Sequence, residues 1–380
     1  MPAYRRFLDA CRFVNIKQVN SIVEEVGAIH LGTLVLFRDN VGRTPLMYIV
    51  DGPEDQFHQH DRYEITSLLL KHLSTHDVGN MTDYVGNTAL HYACHHGNKP
   101  LLTLLLSYEA NISMINNDGE SCVTVAARGG YTDCIALLLS SYQSIPSSSS
   151  LTTTTTTSAS SSSSVSSSSS VSSSPSSLSS SVSVSSSNEV DRIGKIIKDD
   201  FDDVDGTSIV TYGSSAKITI FVTQKLVELV NVRSKYGVAL YVAIQFNHYD
   251  TAELLLKCRS KVNSKSASSD GLTCLMQAVM NGSMNMVSLL LQYNADMMIK
   301  DKYGMSCLYK AAIKGHIDIM KMLRDNILRL TKHKAEAEEA EEKEDYFISI
   351  LNEQDYIYKE TMLMKAARLG YHNIVTLLLE

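Results

Sequence analysis

Residues 83–93 read Asp83-Tyr84-Val85-Gly86-Asn87-Thr88-Ala89-Leu90-His91-Tyr92-Ala93, and this stretch returns in altered form along the chain. The interval is 33 residues, because Gly86 recurs at Gly119 and Gly271 recurs at Gly304. Two further landmarks keep it: Gly97 is followed by Gly130, and Leu104-Leu105-Leu106 is followed by Leu137-Leu138-Leu139. Self-similarity at a fixed period of this length predicts a stack of structural repeats.

Each unit predicts a turn followed by two short helices. The first glycine lies in a polar turn where a positive φ is easy for glycine, so we expect this φ at Gly86 and Gly304. Thr88 is placed to cap the first helix, and Gly97 is placed to end that helix in the left-handed conformation. Small residues such as Ala93 inside the first helix allow neighbouring units to pack closely.

These residues resemble the ankyrin family, whose unit reads approximately D-x-x-G-x-T-P-L-H-x-A-A-x-x-G-H and continues into a V-x-x-L-L helix. Residues 86–93 follow its G-x-T-P-L-H-x-A core with Ala89 in place of proline, while Gly42-Arg43-Thr44-Pro45-Leu46 keeps the proline. The resemblance implies an all-α ankyrin-repeat solenoid of helix-turn-helix units with β-hairpin-like loops. It also implies that this protein binds other proteins, through the concave surface of turns and first helices.

The landmarks predict where the units lie. Repeats are expected to begin near Asp39, Asp83, Asn116, Ser234, Ser268 and Asp301, with a divergent one from about Tyr356 to Glu380. A helix pair that caps the array is expected at the N-terminus, and a degenerate unit at 205–230. The irregular points are an insertion around Asp51 to Tyr63, Asn247 in place of a capping glycine, and Lys359 in place of a turn glycine.

Composition divides the chain into two predicted arrays. From Ser144 to Ser187, 34 of 44 residues are Ser or Thr, and such a segment cannot bury enough apolar surface to fold. We therefore predict an N-terminal array at 1–143, a disordered linker at 144–189 and a C-terminal array at 190–380. The arrays can move independently unless they dock. The linker is either a low-complexity expansion or a phosphorylated or glycosylated regulatory segment.

An acidic helical insertion is predicted near 330–355. Residues Glu336 to Asp345 contain seven carboxylates and one lysine, and their alanines favour a solvated helix extending the one expected from Ile317 to about Leu330. A docking site for a basic partner is the alternative.

Residue types that carry catalysis or bind cofactors do not form a recognisable motif. The chain has no P-loop, dinucleotide fingerprint, nucleophile elbow or kinase signature, so no enzyme activity, cofactor or small-molecule substrate is expected. His91 and His95 have the spacing of two zinc ligands, but His91 falls on the family's structural histidine and no third ligand is evident, so no metal is predicted. The seven cysteines form no CxxC pair and are interpreted as reduced, packed thiols.

Charge and hydropathy exclude further classes. A net charge of -7 without a local basic cluster disfavours nucleic acid, and no apolar run reaches the roughly 20 residues that span a bilayer. The N-terminus lacks a signal-peptide stretch, so a cytoplasmic location is expected, with the nucleus as the alternative.

The predicted function is a non-catalytic scaffold or adaptor; the alternative is a regulatory or substrate-targeting subunit of an enzyme complex, a kinase or a ubiquitin ligase. The candidate partner-binding residues face outward in the repeat pattern: Tyr84, Asn87, His95, His96 and Arg128, then Lys235, Tyr236, Lys302, Tyr303 and Lys314. The first group predicts an aromatic, titratable surface on one array, and the lysines and tyrosines predict a basic surface on the other. Two surfaces suggest two partners.

The predicted linker gives a first test. Limited proteolysis of the native chain is expected to cut first between Ser144 and Ser187, because an unfolded segment reaches a protease active site without prior unfolding. Mass spectrometry of the early fragments locates the cut. A protease-resistant unit that spans this segment contradicts the prediction.

Overall fold

The computed structural model describes residues 3–52, 58–142, 208–213, 218–334 and 349–379. The described residues within 3–142 and 209–379 belong to one compact unit. The predicted linker at 144–189 and the acidic run Glu336 to Asp345 lie outside the described residues.

Short helices make up most of the described chain, as predicted. In chain order they are α1 (Ala3–Arg12), α2 (Ile16–Val26), α3 (Ala28–Val35), α4 (Pro45–Val50), α5 (Gln59–Leu70), α6 (Thr75–Asn80), α7 (Ala89–His96), α8 (Lys99–Ser107), α9 (Cys122–Gly129), α10 (Thr132–Ser141), α11 (Gln224–Val230), α12 (Ala239–Gln245), α13 (Tyr249–Lys257), α14 (Cys274–Met280), α15 (Met284–Gln292), α16 (Cys307–Lys314), α17 (Ile317–Lys334), α18 (Met362–Leu369) and α19 (His372–Leu379). Two strands, β1 (Ser208–Tyr212) and β2 (Ile218–Val222), form a two-stranded sheet.

The predicted repeat unit is confirmed. The Thr88 hydroxyl accepts a hydrogen bond from the backbone N–H of His91 and caps α7, and Gly97 ends that helix in the left-handed conformation with φ 66°. The turn glycines Gly86 and Gly304 have φ of 86° and 79°, the positive values expected of them. A typical unit therefore consists of a glycine turn, a first helix, a left-handed cap and a second helix, although α4 ends at Asp51 with φ -74°.

Two of the irregular positions adopt the backbone that glycine supplies elsewhere. Asn247 has φ 61° and Lys359 has φ 54°, so both hold left-handed conformations that L-residues seldom adopt. The final turn is one residue longer than the family pattern, because the N–H of Asp355, one residue before the predicted start, bonds to the carbonyl of Glu360. The turn predicted from Ser268 also has its base earlier, where the N–H of Ser266 donates to the carbonyl of Leu272.

The helices form two stacked rows. First helices pack in the order α4, α7, α9, α12, α14, α16 and α18, and second helices pack beside them in the order α5, α8, α10, α13, α15 and α17. The predicted N-terminal cap is the pair α1 and α2, which packs against α4 and α5. All seven cysteines are buried, and no disulfide joins any two of them.

The degenerate unit predicted at 205–230 is wrong for the described part of that range. In place of a turn and a helix pair, Ser208–Tyr212 and Ile218–Val222 pair as strands and α11 follows them. Both segments are rich in β-branched residues that alternate between buried and exposed positions, a pattern that favours strands. Strand β2 packs against α10, so the hairpin covers a second helix instead of adding a repeat.

The two sequence stretches on either side of the Ser/Thr-rich segment dock directly. The backbone N–H of Lys235 donates to the carbonyl of Asp118 (2.9 Å), and the Thr132 and Thr251 hydroxyls lie 2.7 Å apart. Helix α12 packs on α9 and α13 packs on α10, as successive repeats do elsewhere. The repeat that begins at Ser234 therefore continues the stack that ends at α10.

This docking predicts that the two halves stay together after the chain is cut. We expect a site-specific protease sequence inserted between Ser168 and Ser169 to yield fragments that co-elute in gel filtration and retain the melting temperature of the uncut protein to within about 5 °C. The reason is that the junction is held by packing and hydrogen bonds, and not by the intervening peptide. Fragments that separate at micromolar concentration contradict the continuous stack.

The capping glycines provide a matched pair of stability variants. Gly130 and Gly370 have nearly the same φ, 72° and 77°, but a Cβ on Gly130 meets the imidazole of His248 at 2.5 Å, while one on Gly370 meets nothing within 4 Å. We expect Gly370→Ala to cost about 1–2 kcal/mol from the left-handed backbone alone. Gly130→Ala should cost about 1–3 kcal/mol more, because overpacking adds to the backbone term. Chemical denaturation measures both, and equal losses contradict a close fit at this junction.

Candidate protein-binding face

The turns and the first helices present one row of side chains that the core does not use; we call it the first-helix face. Backbone hydrogen bonds between successive turns fix its spacing. The N–H of Tyr84 donates to Val41 (3.0 Å), that of Asn117 to Val85 (2.9 Å) and that of Tyr356 to Tyr303 (2.8 Å). Several turns also have internal hydrogen bonds that fix them, as at Asp83, whose carboxylate accepts from the N–H groups of Val85 and Asn87. The backbone of each tip is thus fixed by hydrogen bonds, while the type of side chain at the tip can vary from repeat to repeat.

Three of the predicted site residues meet in a groove of about 320 Å³ on this face. Asn87, His95 and Arg128 line it together with Arg43, Asp51, Val85, His91, Tyr92, Asn116, Asp118, Glu120 and Val125. Tyr84 lies at the adjacent tip with about two thirds of its side chain exposed. Sequence reasoning missed Arg43, Asp51 and Tyr92, although the repeat alignment puts Asp51 at the position of His95.

Charge in this groove is mostly paired. Asp51 bonds to the Arg43 guanidinium (2.8 Å) and to Nε2 of His96 (2.9 Å), and the Arg43 guanidinium stacks 4.6 Å from the centre of the Tyr92 ring. Burial and the neighbouring His96 lower the pKa of His95. His96 is therefore already bonded within the chain, and His95 is the more exposed imidazole of the two.

The two surfaces predicted as separate are continuous at the junction. Lys235 pairs with Asp118 (2.6 Å), and the Arg128 guanidinium lies 4.6 Å from the centre of the Tyr236 ring while it pairs with Glu120. Lys235 and Tyr236 thus belong with the groove of the N-terminal repeats. The sequence left open whether the two arrays dock, and the described residues show that they do so at this junction.

Farther along the face lie the predicted residues Lys302, Tyr303 and Lys314. Lys302 and Lys314 are exposed. The Tyr303 hydroxyl donates to Asp270 (3.0 Å), and this bond raises the pKa of Tyr303. Lys310, which the sequence reasoning did not select, pairs with the buried Asp301 (2.6 Å).

The last repeat adds functional candidates that sequence reasoning missed. Tyr356, Ile357 and Tyr358 are all more than half exposed. Lys365 and Arg368 both pair with Glu360, at 3.0 and 2.9 Å. The irregular turn hid these residues, but counting from the helix cap would have found them, since Lys365 follows its cap Thr361 by the same four residues that separate Lys310 from Ser306.

His91 is structural in this geometry. Its Nδ1 lies 2.9 Å from the Thr88 hydroxyl and its Nε2 lies 3.2 Å from the carbonyl of Glu120 in the next repeat. Both ring nitrogens are occupied, and the side chain is buried. Within the described ranges, His, Cys, Asp and Glu side chains nowhere gather in a group of three or more that could hold a metal ion. Among those same residues, none of the helices is both long and apolar enough to cross a membrane.

Comparison with known proteins matches the repeats. The family model described as ankyrin repeats (3 copies) matches residues 56–148 and 240–334. The chain is 25% identical over 326 residues to the Caenorhabditis elegans ankyrin repeat and KH domain-containing protein mask-1, which covers 83% of this chain and 10% of the worm protein. It is 38% identical over 63 residues to the Xenopus tropicalis Notch-regulated ankyrin repeat-containing protein, covering 17% of this chain and 55% of that one.

A plant relative carries an enzyme name. The probable E3 ubiquitin-protein ligase XBOS33 of Oryza sativa subsp. japonica is 34% identical over 86 residues, 22% of this chain and 16% of the rice protein. This chain therefore matches between about a tenth and about half of the length of these three relatives.

Proposed function

The chain is an ankyrin-repeat protein, and from that premise we propose that it is a non-catalytic scaffold or adaptor that binds other proteins through the first-helix face. Ankyrin repeats are protein–protein interaction modules, and such repeats build binding surfaces by varying side chains on a constant framework. The identity of the fold does not specify the partner. What specifies it is the set of side chains on this face.

One observation supports this face: large side chains are exposed at several of its turns, and backbone hydrogen bonds join several pairs of neighbouring turns. Tyr84, Val85, Tyr236, Tyr356 and Tyr358 all expose two fifths or more of their side chains. Tyrosine and arginine are the residues most enriched among those that contribute most to binding energy. Because neighbouring turns are tied at the backbone, a partner can contact them without paying to order a loop.

The alternative is a regulatory or substrate-targeting subunit of an enzyme complex. The name of the rice relative favours this alternative over a purely structural scaffold, although the match covers only a short part of both chains. The two proposals share the binding face and differ in what it holds. Recovery of one stoichiometric kinase or ubiquitin ligase supports the targeting role, and recovery of several non-enzymatic partners supports the scaffold.

The remaining expectations are part of the proposal. We take the partners to be proteins in the cytoplasm, and neither nucleic acid, nor a small-molecule substrate, nor membrane insertion is included. The charge pairs of the groove are consistent with this choice. A groove whose arginines already face carboxylates binds a polyanion weakly.

A double substitution on the face tests the proposal. We expect Lys302→Glu with Tyr303→Ala to reduce recovery of interacting proteins from cell extract by about tenfold, because it reverses one exposed charge and removes one aromatic anchor. Quantitative mass spectrometry of the captured proteins measures the change. Circular dichroism should show an unchanged melting temperature to within about 3 °C, since the substituted side chains lie outside the core.

The matched control carries the same changes on the second helices. Lys71→Glu with Tyr63→Ala alters a partly exposed tyrosine of α5 and the exposed lysine that directly follows this helix. It should leave recovery unchanged. If both double variants retain every partner, the first-helix face is not the interface; if only the α5 variant loses partners, the interface lies on the second helices.

A further inference from the structure

The last two repeats place a basic and aromatic patch on the first-helix face. Its defining residues are Lys302, Lys314, Tyr356, Tyr358, Lys359 and Arg368, and we call it the terminal patch. The backbone bond from Tyr356 to Tyr303 joins the two tips, and a Cβ on Gly304 would lie 2.5–2.8 Å from the Tyr356 ring. Helix α18 packs on α16 beneath them. The six residues therefore stand on one continuous framework.

The positive charge of the terminal patch exceeds what its own carboxylates neutralise. Asp301 is taken by Lys310, and Glu360 is shared by Lys365 and Arg368. Among the described ion pairs, Lys302, Lys314 and Lys359 have no carboxylate partner. Asp355 is buried, and its side chain accepts hydrogen bonds from the N–H groups of Ile357 and Tyr358 and from the Tyr309 hydroxyl. These bonds outweigh burial and hold the pKa of Asp355 below its ordinary value.

Aromatic rings lie between these cations. Tyr356 is 59% exposed and Tyr358 is 65% exposed, with Nζ of Lys359 and of Lys365 at 5.8 and 5.1 Å from the respective ring centres. Ile357 between them is also more than half exposed. Large exposed side chains in consecutive positions, rimmed by charge, are typical of an interaction site.

We propose that the terminal patch binds an acidic peptide segment of a partner protein, in which Asp or Glu residues flank an aromatic or large aliphatic side chain. This proposal rests on the proposed protein-binding function and specifies its ligand. The carboxylates pair with Lys302, Lys314 and Lys359, and the apolar side chain packs between Tyr356 and Tyr358. Each carboxylate of the peptide then lies beside a lysine that has no carboxylate partner among the described ion pairs of the protein.

The same observations favour a peptide over a nucleic acid. Nucleic-acid binding draws its affinity from about 6–10 phosphate contacts, whereas the terminal patch has three unpaired lysines beside the carboxylate of Glu360. The evenly spaced phosphates of a nucleic acid would bring negative charge close to that carboxylate. A peptide can instead carry acidic residues opposite the lysines and neutral residues opposite Glu360.

Fluorescence anisotropy with the full chain tests the proposal. The probe is a labelled twelve-residue peptide with four Glu residues around a central Phe; comparison peptides replace Glu by Lys or Phe by Gly. We expect the acidic peptide to bind, the Lys peptide not to bind, and the Gly peptide to bind about tenfold more weakly. Affinity should fall as salt rises from about 50 to 300 mM, because exposed charge pairs are screened.

Variants locate the site. Lys314→Glu with Lys359→Glu should weaken the acidic peptide about tenfold or more, and Tyr358→Ala about fivefold. The control, Lys17→Glu with Lys71→Glu, makes the same change in net charge at an exposed position of α2 and at the exposed residue that directly follows α5. It should leave affinity within about twofold. Equal losses in both charge-reversal pairs overturn the site, as does a peptide that fails to bind.

Two further outcomes separate this proposal from the one it rests on. If single-stranded RNA displaces the peptide and binds more tightly, the terminal patch is a nucleic-acid site and the peptide proposal is overturned. If the peptide fails while Lys302→Glu with Tyr303→Ala still removes cellular partners, the proposed function stands and only the ligand is wrong. If the peptide binds and those partners are unaffected, the terminal patch stands and the wider face does not carry the scaffold function.

Discussion

The rest of the structure depends on how closely one repeat can approach the next at its turn and at its cap. At the turn, a backbone N–H must reach the carbonyl of the preceding tip, as Tyr84 reaches Val41 and Lys235 reaches Asp118. At the cap, an aromatic or imidazole ring covers the preceding glycine, so a Cβ on Gly97 would collide with Tyr131. Both contacts require a left-handed or tightly turned backbone, which explains why glycine recurs at fixed intervals. The spacing of the side chains on the first-helix face is therefore set by contacts of the backbone and the caps, and not by those side chains themselves.

The same constraint explains why a long insertion need not divide the stack. Successive repeats recognise each other through hydrogen bonds and packed helices, and these contacts are local to the interface and independent of the peptide that links them. The cost of closing a longer connection rises only with the logarithm of its length, by about 0.6 kcal/mol for each doubling. A junction that forms hydrogen bonds at Lys235 and Thr251 offsets this cost. Helix α12 accordingly packs on α9 as α9 packs on α7.

The sequence predicted the features that recur from repeat to repeat. It did not predict the features that depend on contacts between segments distant in sequence. The left-handed glycines, the caps and the two rows of helices followed from landmarks within single units. The docking of the two stretches could not be predicted in this way, because nothing in the sequence near Asp118 or Lys235 indicates that these two residues contact each other. The strands at Ser208–Tyr212 and Ile218–Val222 were missed because this range was interpreted as another degenerate repeat. Their β-branched residues, at alternating positions, do predict strands. The pairing of His96 with Asp51 was missed because Asp51 was assigned to an insertion, although it aligns with His95 of the next repeat.

The balance of charge on the first-helix face changes from the N-terminal repeats to the last repeat. In the N-terminal groove, Asp51, Asp118 and Glu120 stand against Arg43 and Arg128, so opposite charges largely cancel. Toward the last repeat, Asp301 and Asp355 are buried, whereas Lys302, Lys314 and Lys359 are exposed. An extended ligand that contacts both regions would gain electrostatic energy only with its acidic end over the last repeats, because the reversed orientation brings its carboxylates to those of the groove. Polarity of this kind specifies orientation and register more than affinity, and it distinguishes one partner from another on a framework that all repeats share.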